Sequence, residues 1–415
     1  MKKLFVILAV IGLVSVISSP GMATNGDNLI GIGPISRAMG GVGIAAPQDA
    51  ISAVFANPAA MCFGPYCPGS EFDFAGTLFM PKVDATVTIG NQAFSVSSER
   101  KTYAIPAIGL SVPINPNWRF GLSAYGVSGL GVDYRGSSID QPHFAQFGGF
   151  PLVAGEYTQL QILKFAPSIA YQPNDKFSVG LAIHIDYANL DLRNGSSFNY
   201  GLGAQLGAIY KATDMVSLGI TYVSPQEVKY ANVLNFMGLY DLKLESPQEV
   251  GIGIAVEPIK NTLLIEVNGR WVNWADATGY GSEDFDWKDQ WVLGLGAQYK
   301  PTKQIALRVG YNYANNPVKE HGNFDGTTLK NVQGIQMPTY YYETFRIVGF
   351  PAIVKQHVTL GAGYEISKSF ALNAGYTHAF KETITESGTA VNGAPATLQS
   401  SLSEDSLEFG FTWRF

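Results

Sequence analysis

The stretch that decides the fold is the last one: Leu407-Glu408-Phe409-Gly410-Phe411-Thr412-Trp413-Arg414-Phe415. In an extended chain, successive side chains point to opposite faces. Leu407, Phe409, Phe411, Trp413 and Phe415 therefore share one face, and Glu408, Gly410, Thr412 and Arg414 the other. The same contrast recurs upstream. Phe177, Val179, Leu181, Ile183 and Ile185 oppose Ser178, Gly180, Ala182, His184 and Asp186; Ile305, Leu307, Val309, Tyr311 and Tyr313 oppose Ala306, Arg308, Gly310 and Asn312. A soluble sandwich also alternates. Several runs here exceed ten residues, longer than typical globular strands and as long as a tilted strand needs to cross a bilayer.

Short polar turns join these runs, as at Tyr171-Gln172-Pro173-Asn174-Asp175-Lys176-Phe177 and Tyr299-Lys300-Pro301-Thr302-Lys303-Gln304-Ile305. That is a hairpin signal. Longer connections intervene near 89–102, 134–156, 192–198, 229–246, 275–289, 315–353 and 382–402. Short turns on one side and long loops on the other characterise outer-membrane barrels, which use even strand numbers. Runs at 71–88, 103–114, 119–133, 157–172, 177–191, 199–211, 216–228, 247–257, 262–274, 290–300, 304–314, 354–366, 369–381 and 403–415 give fourteen. An open edge in lipid would leave backbone groups without partners, so the sheet must close. The expected class is all-β: a 14-stranded antiparallel transmembrane β-barrel over residues 70–415. Residues 24–69, rich in Gly, Ala and Pro without sustained alternation, form a small N-terminal domain.

Composition agrees. Of 415 residues, 46% are apolar and 14% charged, well under the usual quarter for soluble domains. The mean hydropathy of +0.08 excludes a bundle of membrane-spanning helices. Lys2 and Lys3, the apolar Leu4 to Ile17 and the small residues up to Ala23 form a signal peptide, residues 1–23, cleaved near Ala23. Its apolar run is too short for a retained anchor. Removing two lysines and no acid takes the net charge from −6 to −8, which argues against a nucleic-acid partner. The aromatic C-terminal strand resembles the signal read by the bacterial barrel-assembly machinery. Cys62 and Cys67, in an exported chain, are expected to pair; two sulfurs without nearby His are too few for zinc. The five histidines, His143, His184, His321, His357 and His378, sit in no recognisable Ser or Asp motif, and there is no phosphate loop. The expectation is a protein without catalytic residues, metal or cofactor.

The N-terminal domain holds the most specific motifs: Gly31-Ile32-Gly33-Pro34-Ile35-Ser36-Arg37-Ala38-Met39-Gly40-Gly41-Val42-Gly43, then Asp49-Ala50, then Asn57-Pro58-Ala59. Together with the signal peptide before them and fourteen strands after them, they resemble the hatch of the FadL family of outer-membrane long-chain fatty-acid transporters, which includes aromatic-hydrocarbon channels. Sharp matches lie within residues 31–60; the likeness in architecture spans the chain. It implies a monomeric barrel among outer-membrane lipids, plugged by a hatch inside the lumen. Hydrophobic ligands would pass from an extracellular groove to a lumen pocket and leave sideways beside a kink in the third strand. Arg37, Gly40, Gly41, Asn57, Pro58 and Ala59 then belong to the hatch and its gating, and Gly126, Gly129 and Gly131 to the kink. Those glycines equally suit a crowded lumen. Cys62 and Cys67 lie outside the family pattern.

Two long loops carry more apolar side chains than exposed loops should: Phe144, Phe147, Phe150, Leu152 and Val153, and Val233, Leu234, Phe236, Met237 and Leu239. They are the expected groove for a greasy ligand; self-packing into a lid is the alternative. His184, Asp186, Glu266, Arg270 and Arg308 face the lumen, either to pair with each other or to meet a fatty-acid carboxylate. The reading is passive uptake of hydrophobic compounds, long-chain fatty acids first and toluene-like hydrocarbons second. A general porin needs an open lumen, against residues 24–69.

Overall fold

The computed structural model describes residues 24–141, 149, 151–235 and 238–415. The expected signal peptide and Phe144, Phe147, Phe150, Phe236 and Met237 lie outside these residues. Fourteen strands follow in order: β1 (Glu71–Ile89), β2 (Tyr103–Pro113), β3 (Trp118–Asp133), β4 (Tyr157–Asn174), β5 (Phe177–Asp191), β6 (Ser196–Lys211), β7 (Val216–Val223), β8 (Glu249–Ile259), β9 (Leu263–Val272), β10 (Gln290–Tyr299), β11 (Ile305–Ala314), β12 (Gln356–Ser367), β13 (Phe370–Thr389) and β14 (Pro395–Arg414). Sequence neighbours pair antiparallel, and β14 pairs with both β13 and β1. The ring is closed, as backbone in lipid requires.

Alternation sets the two surfaces. Leu181 and Ile183 on β5, Leu202 on β6, Ile252 on β8, Leu293 on β10 and Phe409 on β14 point outward and are exposed, Leu202 to 71%. Their inward neighbours, such as Ala182, His184, Asp186 and Glu408, are buried. A surface this apolar belongs against hydrocarbon. Ring pairs mark both rims: Trp118 with Tyr171 and Trp413 with Phe415 beside the short turns, and Tyr187 with Phe198 and Tyr200 toward the long loops.

Several boundaries differ from the sequence reading. β7 stops at Val223 rather than near 228, because Pro225 cannot donate to a ladder; the chain then forms a separate hairpin, Gln226–Asn235 with Leu239–Ser246. β13 and β14 run on through the expected loop at 382–402 to Thr389 and Pro395. The long connection 315–353 holds a small hairpin, the helix α3 (Thr339–Thr344) and a further helical turn, Phe345–Gly349. The N-terminal segment, expected to be irregular, contains α1 (Gly33–Ala38), α2 (Ala50–Ala56) and a 3-10 turn, Pro58–Cys62. Asp49 caps α2, accepting from Ser52 N at 2.8 Å.

Candidate functional site

The N-terminal segment lies inside the ring and is almost wholly buried from Thr24 to Cys62. Glycines on the lumen face let its backbone approach the wall. A Cβ at Gly180 would collide with Ala59, one at Gly207 with Asn57, one at Gly219 with Ile44, and one at Gly310 with Gly40. Side chains then fix it. Arg37, fully buried, donates from Nε to Glu408 Oε1 and from Nη2 to Ser406 Oγ, both at 2.7 Å on β14. Gly40, at φ +69, offers its N–H to Thr359 Oγ1 at 3.1 Å and its carbonyl to Asn312 Nδ2 at 3.0 Å. Gly41, at φ +76, has room for no Cβ beside the Ile30 carbonyl. Asn57 Nδ2 donates to Ile44 O at 2.8 Å and reaches Ala208 O and Ile220 O on β6 and β7, while its Oδ1 accepts from Ala59 N. Pro58 opens the 3-10 turn.

Cys62 and Cys67 are separate thiols. The expected bridge does not form: Cys67 Sγ donates instead to the Met61 carbonyl at 3.3 Å, and Cys62 is buried in its helical turn.

The lumen charges hold the segment as much as each other. Glu266 accepts from Ala45 N at 2.8 Å, and Arg270 donates to Ile30 O at 3.1 Å. Arg308 donates to Gln298 and Asn373. His184 and Asp186 surround Lys164, which the sequence reading missed although it interrupts the small lumen row of β4. Its Nζ lies 2.6 Å from Gln226 Oε1, 3.3 Å from His184 Nδ1 and 3.6 Å from Asp186. Lys164, His184 and Arg270 border a cavity of about 50 Å³, whose other walls include Leu29, Phe55, Tyr125 and Val127 and the polar Gln205, Thr221 and Glu249. On the short-turn side of the segment lie two polar cavities of about 410 and 300 Å³ that share Gln48, Pro65 and Lys300.

The third strand carries a bulge between Gly126 and Ser128. Its ladder to β2 runs only from Pro113 opposite Arg119 to Ala107 opposite Tyr125, although β2 begins at Tyr103 and β3 ends at Asp133. Residues 27–29 of the N-terminal segment meet the bulge: Leu29 N donates to Val127 O at 3.1 Å and Gly129 N to Asp27 O. Gly126 faces Ile105, and Gly131 lies against Thr158 with Tyr103 beyond. Asp27 is buried and accepts from Tyr280 Oη at 2.6 Å. Burial pushes its carboxyl up to about 6.

Among the long loops, a mainly apolar cavity of about 380 Å³ is lined by Val153, Tyr157, Leu192, Leu234, Tyr341 and Phe345. Leu152 is buried behind it, held by Tyr340 Oη on its carbonyl, whereas Leu239 is exposed away from it. The wall from α3 had no hydropathy signal in the sequence.

Residues 14–202 match the model of the family described as "Outer membrane protein transport protein (OMPP1/FadL/TodX)". The fold is similar to that of the Pseudomonas putida toluene transporter TodX, at 19% identity over 93% of this chain and 99% of that one, with a TM-score of 0.67. A Pseudomonas aeruginosa FadL homologue matches at 15% identity over 95% and 99%, TM-score 0.68. The Ralstonia pickettii toluene transporter TbuX matches at 18% over 93% and 98%, TM-score 0.65. Among curated protein sequences none matches the chain.

Proposed function

We propose that this chain, residues 14–202 of which match the FadL/TodX family model, is an outer-membrane transport protein of that family and takes up long-chain fatty acids. It is a channel of the bacterial outer membrane for hydrophobic compounds, and not an enzyme. The proposed path starts in the apolar cavity among the long loops, enters the lumen cavity and leaves through the short β2–β3 ladder beside Gly126, Gly129 and Gly131. Residues 24–69 act as the hatch that blocks free passage, which speaks for this reading over a general porin. The signal peptide is removed near Ala23, and the mature barrel works as a monomer in outer-membrane lipid after insertion by the assembly machinery.

One observation carries the fatty-acid reading: Lys164 and Arg270 line a lumen cavity together with Leu29, Ile44, Phe55, Tyr125, Val127 and Val223, alongside the polar Asn28, His184, Gln205, Thr221 and Glu249. A carboxylate head finds cations there and a chain finds grease. A hydrocarbon channel would gain nothing from burying an ammonium at its centre. The toluene reading has its own support, since the cavity is small and Phe55 meets Tyr125 edge to face at 5.5 Å. For either ligand the hatch must shift, because about 50 Å³ holds neither.

Uptake in a host lacking its own transporter tests this. Oleate accumulation that Lys164→Met reduces, with toluene uptake unchanged, is expected. Toluene uptake without oleate uptake selects the second reading. Free passage of small sugars with no gain for any hydrophobe would overturn both in favour of a porin.

A further inference from the structure

Beneath the long loops lies a charged cluster that the ligand path does not use. His321 sits in the connection after β11, between three other segments. Its Nδ1 is 2.8 Å from Glu343 Oε1 on α3, and its Nε2 is 3.1 Å from Asp286 Oδ2 in the β9–β10 loop. Its backbone N–H donates to Glu386 Oε1 on β13 at 2.7 Å. Arg346 donates to Glu343 Oε2 at 3.0 Å, bonds Glu386, and reaches the Lys319 carbonyl at 2.6 Å. Lys319 Nζ meets Asp286 Oδ1 at 2.5 Å. The Tyr342 ring stacks on the imidazole, with Lys330 over the same ring.

A neutral imidazole has one N–H and one bare acceptor nitrogen. Here both nitrogens face carboxylate oxygens, so only the imidazolium serves both. Asp286, Glu343 and Glu386 face Lys319, Arg346 and His321 in one cluster. Ligand atoms of His321, Glu343 and Glu386 do lie within 4.8 Å of one another. Arg346 already pairs with both glutamates, however, and a divalent cation would face its guanidinium. The occupant that fits is a proton.

We propose that His321 is a proton-operated latch that ties the β9–β10 loop and the β11–β12 connection to the end of β13, forming a lid over the entry cavity. α3 carries both functions: Tyr341 lines the cavity, while Glu343, two residues on, grips the latch. The hydrogen bond that the ring donates to Glu343 holds the imidazole pKa above its ordinary value, against the opposing effect of burial. A group whose pKa is raised in the closed state stabilises closure fully below its ordinary value, about 6.5 for His. That contribution disappears as pH rises through the raised value. The lid is therefore tight in mild acid and loose in alkali.

Hydrogen–deuterium exchange on the full-length protein in micelles, corrected for intrinsic base catalysis, tests this from about pH 5 to about pH 9. Protection of residues 339–349 should fall about tenfold for each unit by which the pKa is raised. His321→Gln, which keeps a donor and an acceptor but does not titrate, should give a flat profile. Glu343→Gln should move the midpoint down. A flat wild-type profile, or the same profile in His321→Gln, overturns the latch. Protection that appears only with added Zn²⁺ overturns it in favour of a metal site. The readout is loop protection, so it is independent of which substrate the channel takes.

Discussion

Arg37→Met should loosen the hatch without opening the barrel wall. Arg37 is 2% exposed and Glu408 fully buried, and their 2.7 Å pair is joined by an equally short bond to Ser406. Removing one partner of a buried pair costs about 3–5 kcal/mol, because the other charge is left uncompensated. At 1.4 kcal/mol per tenfold, the undocked population rises by about two to three and a half powers of ten. The chain carries its own reporter. Cys62 is buried in the docked segment, so its maleimide labelling rate in a Cys67→Ser background measures undocking. Arg37→Met should raise that rate by at least about a hundredfold, while the β1–β14 ladder keeps the folded barrel's heat-dependent gel mobility. Arg37→Met with Glu408→Gln should recover most of the loss, since no buried charge is then stranded. Wild-type labelling in Arg37→Met would refute the reasoning, as would a double variant no better than the single.

Gly310→Val should displace α1, because any Cβ there meets the Gly40 backbone; trypsin should then cut within residues 24–69 while the barrel resists. Asp27→Asn should remove a pH dependence: the Asp27 carboxyl, raised to about 6 by burial, favours docking of residues 27–29 fully below the ordinary value near 3.8, and loses that contribution as pH rises through about 6. Exchange at Leu29 N, corrected for intrinsic base catalysis, should accelerate above that pH in wild type and not in the variant. Leu234→Asp should slow initial capture of hydrophobic ligand about tenfold or more, by charging an apolar cavity wall, as read by uptake rate at low ligand concentration.

The wall was legible because lipid outside and small residues inside impose a period of two over long stretches. β14 and β5 announce themselves. The upper halves of β13 and β14 were not, because beyond the membrane neither face need be apolar: Thr383, Ile384, Thr385 and Glu386 read as loop yet continue the ladder. The hatch contacts were half legible. Arg37 and Asn57 stood out by motif, but their partners Glu408, Ala208 and Ile220 lie more than a hundred residues away. The lumen glycines were the missed signal. Those on β5, β6, β7 and β11 mark where the segment crosses the wall, which the sequence reading left as crowding. The Cys62–Cys67 pair misled, because close spacing says nothing about which way two thiols point.

The ladders around the ring are unequal in length. Chain closure is one of the two longest seams: β1 and β14 pair from Glu71 opposite Arg414 to Ile89 opposite Ala396, as far as β13 and β14 do. β2–β3 and β6–β7 hold along less than half that distance. Under tension the barrel would behave like a hoop whose weld is not its weak point. Stretching by thickness mismatch or by a passing ligand would part it at β2–β3 or β6–β7, and leave the two ends of the chain joined.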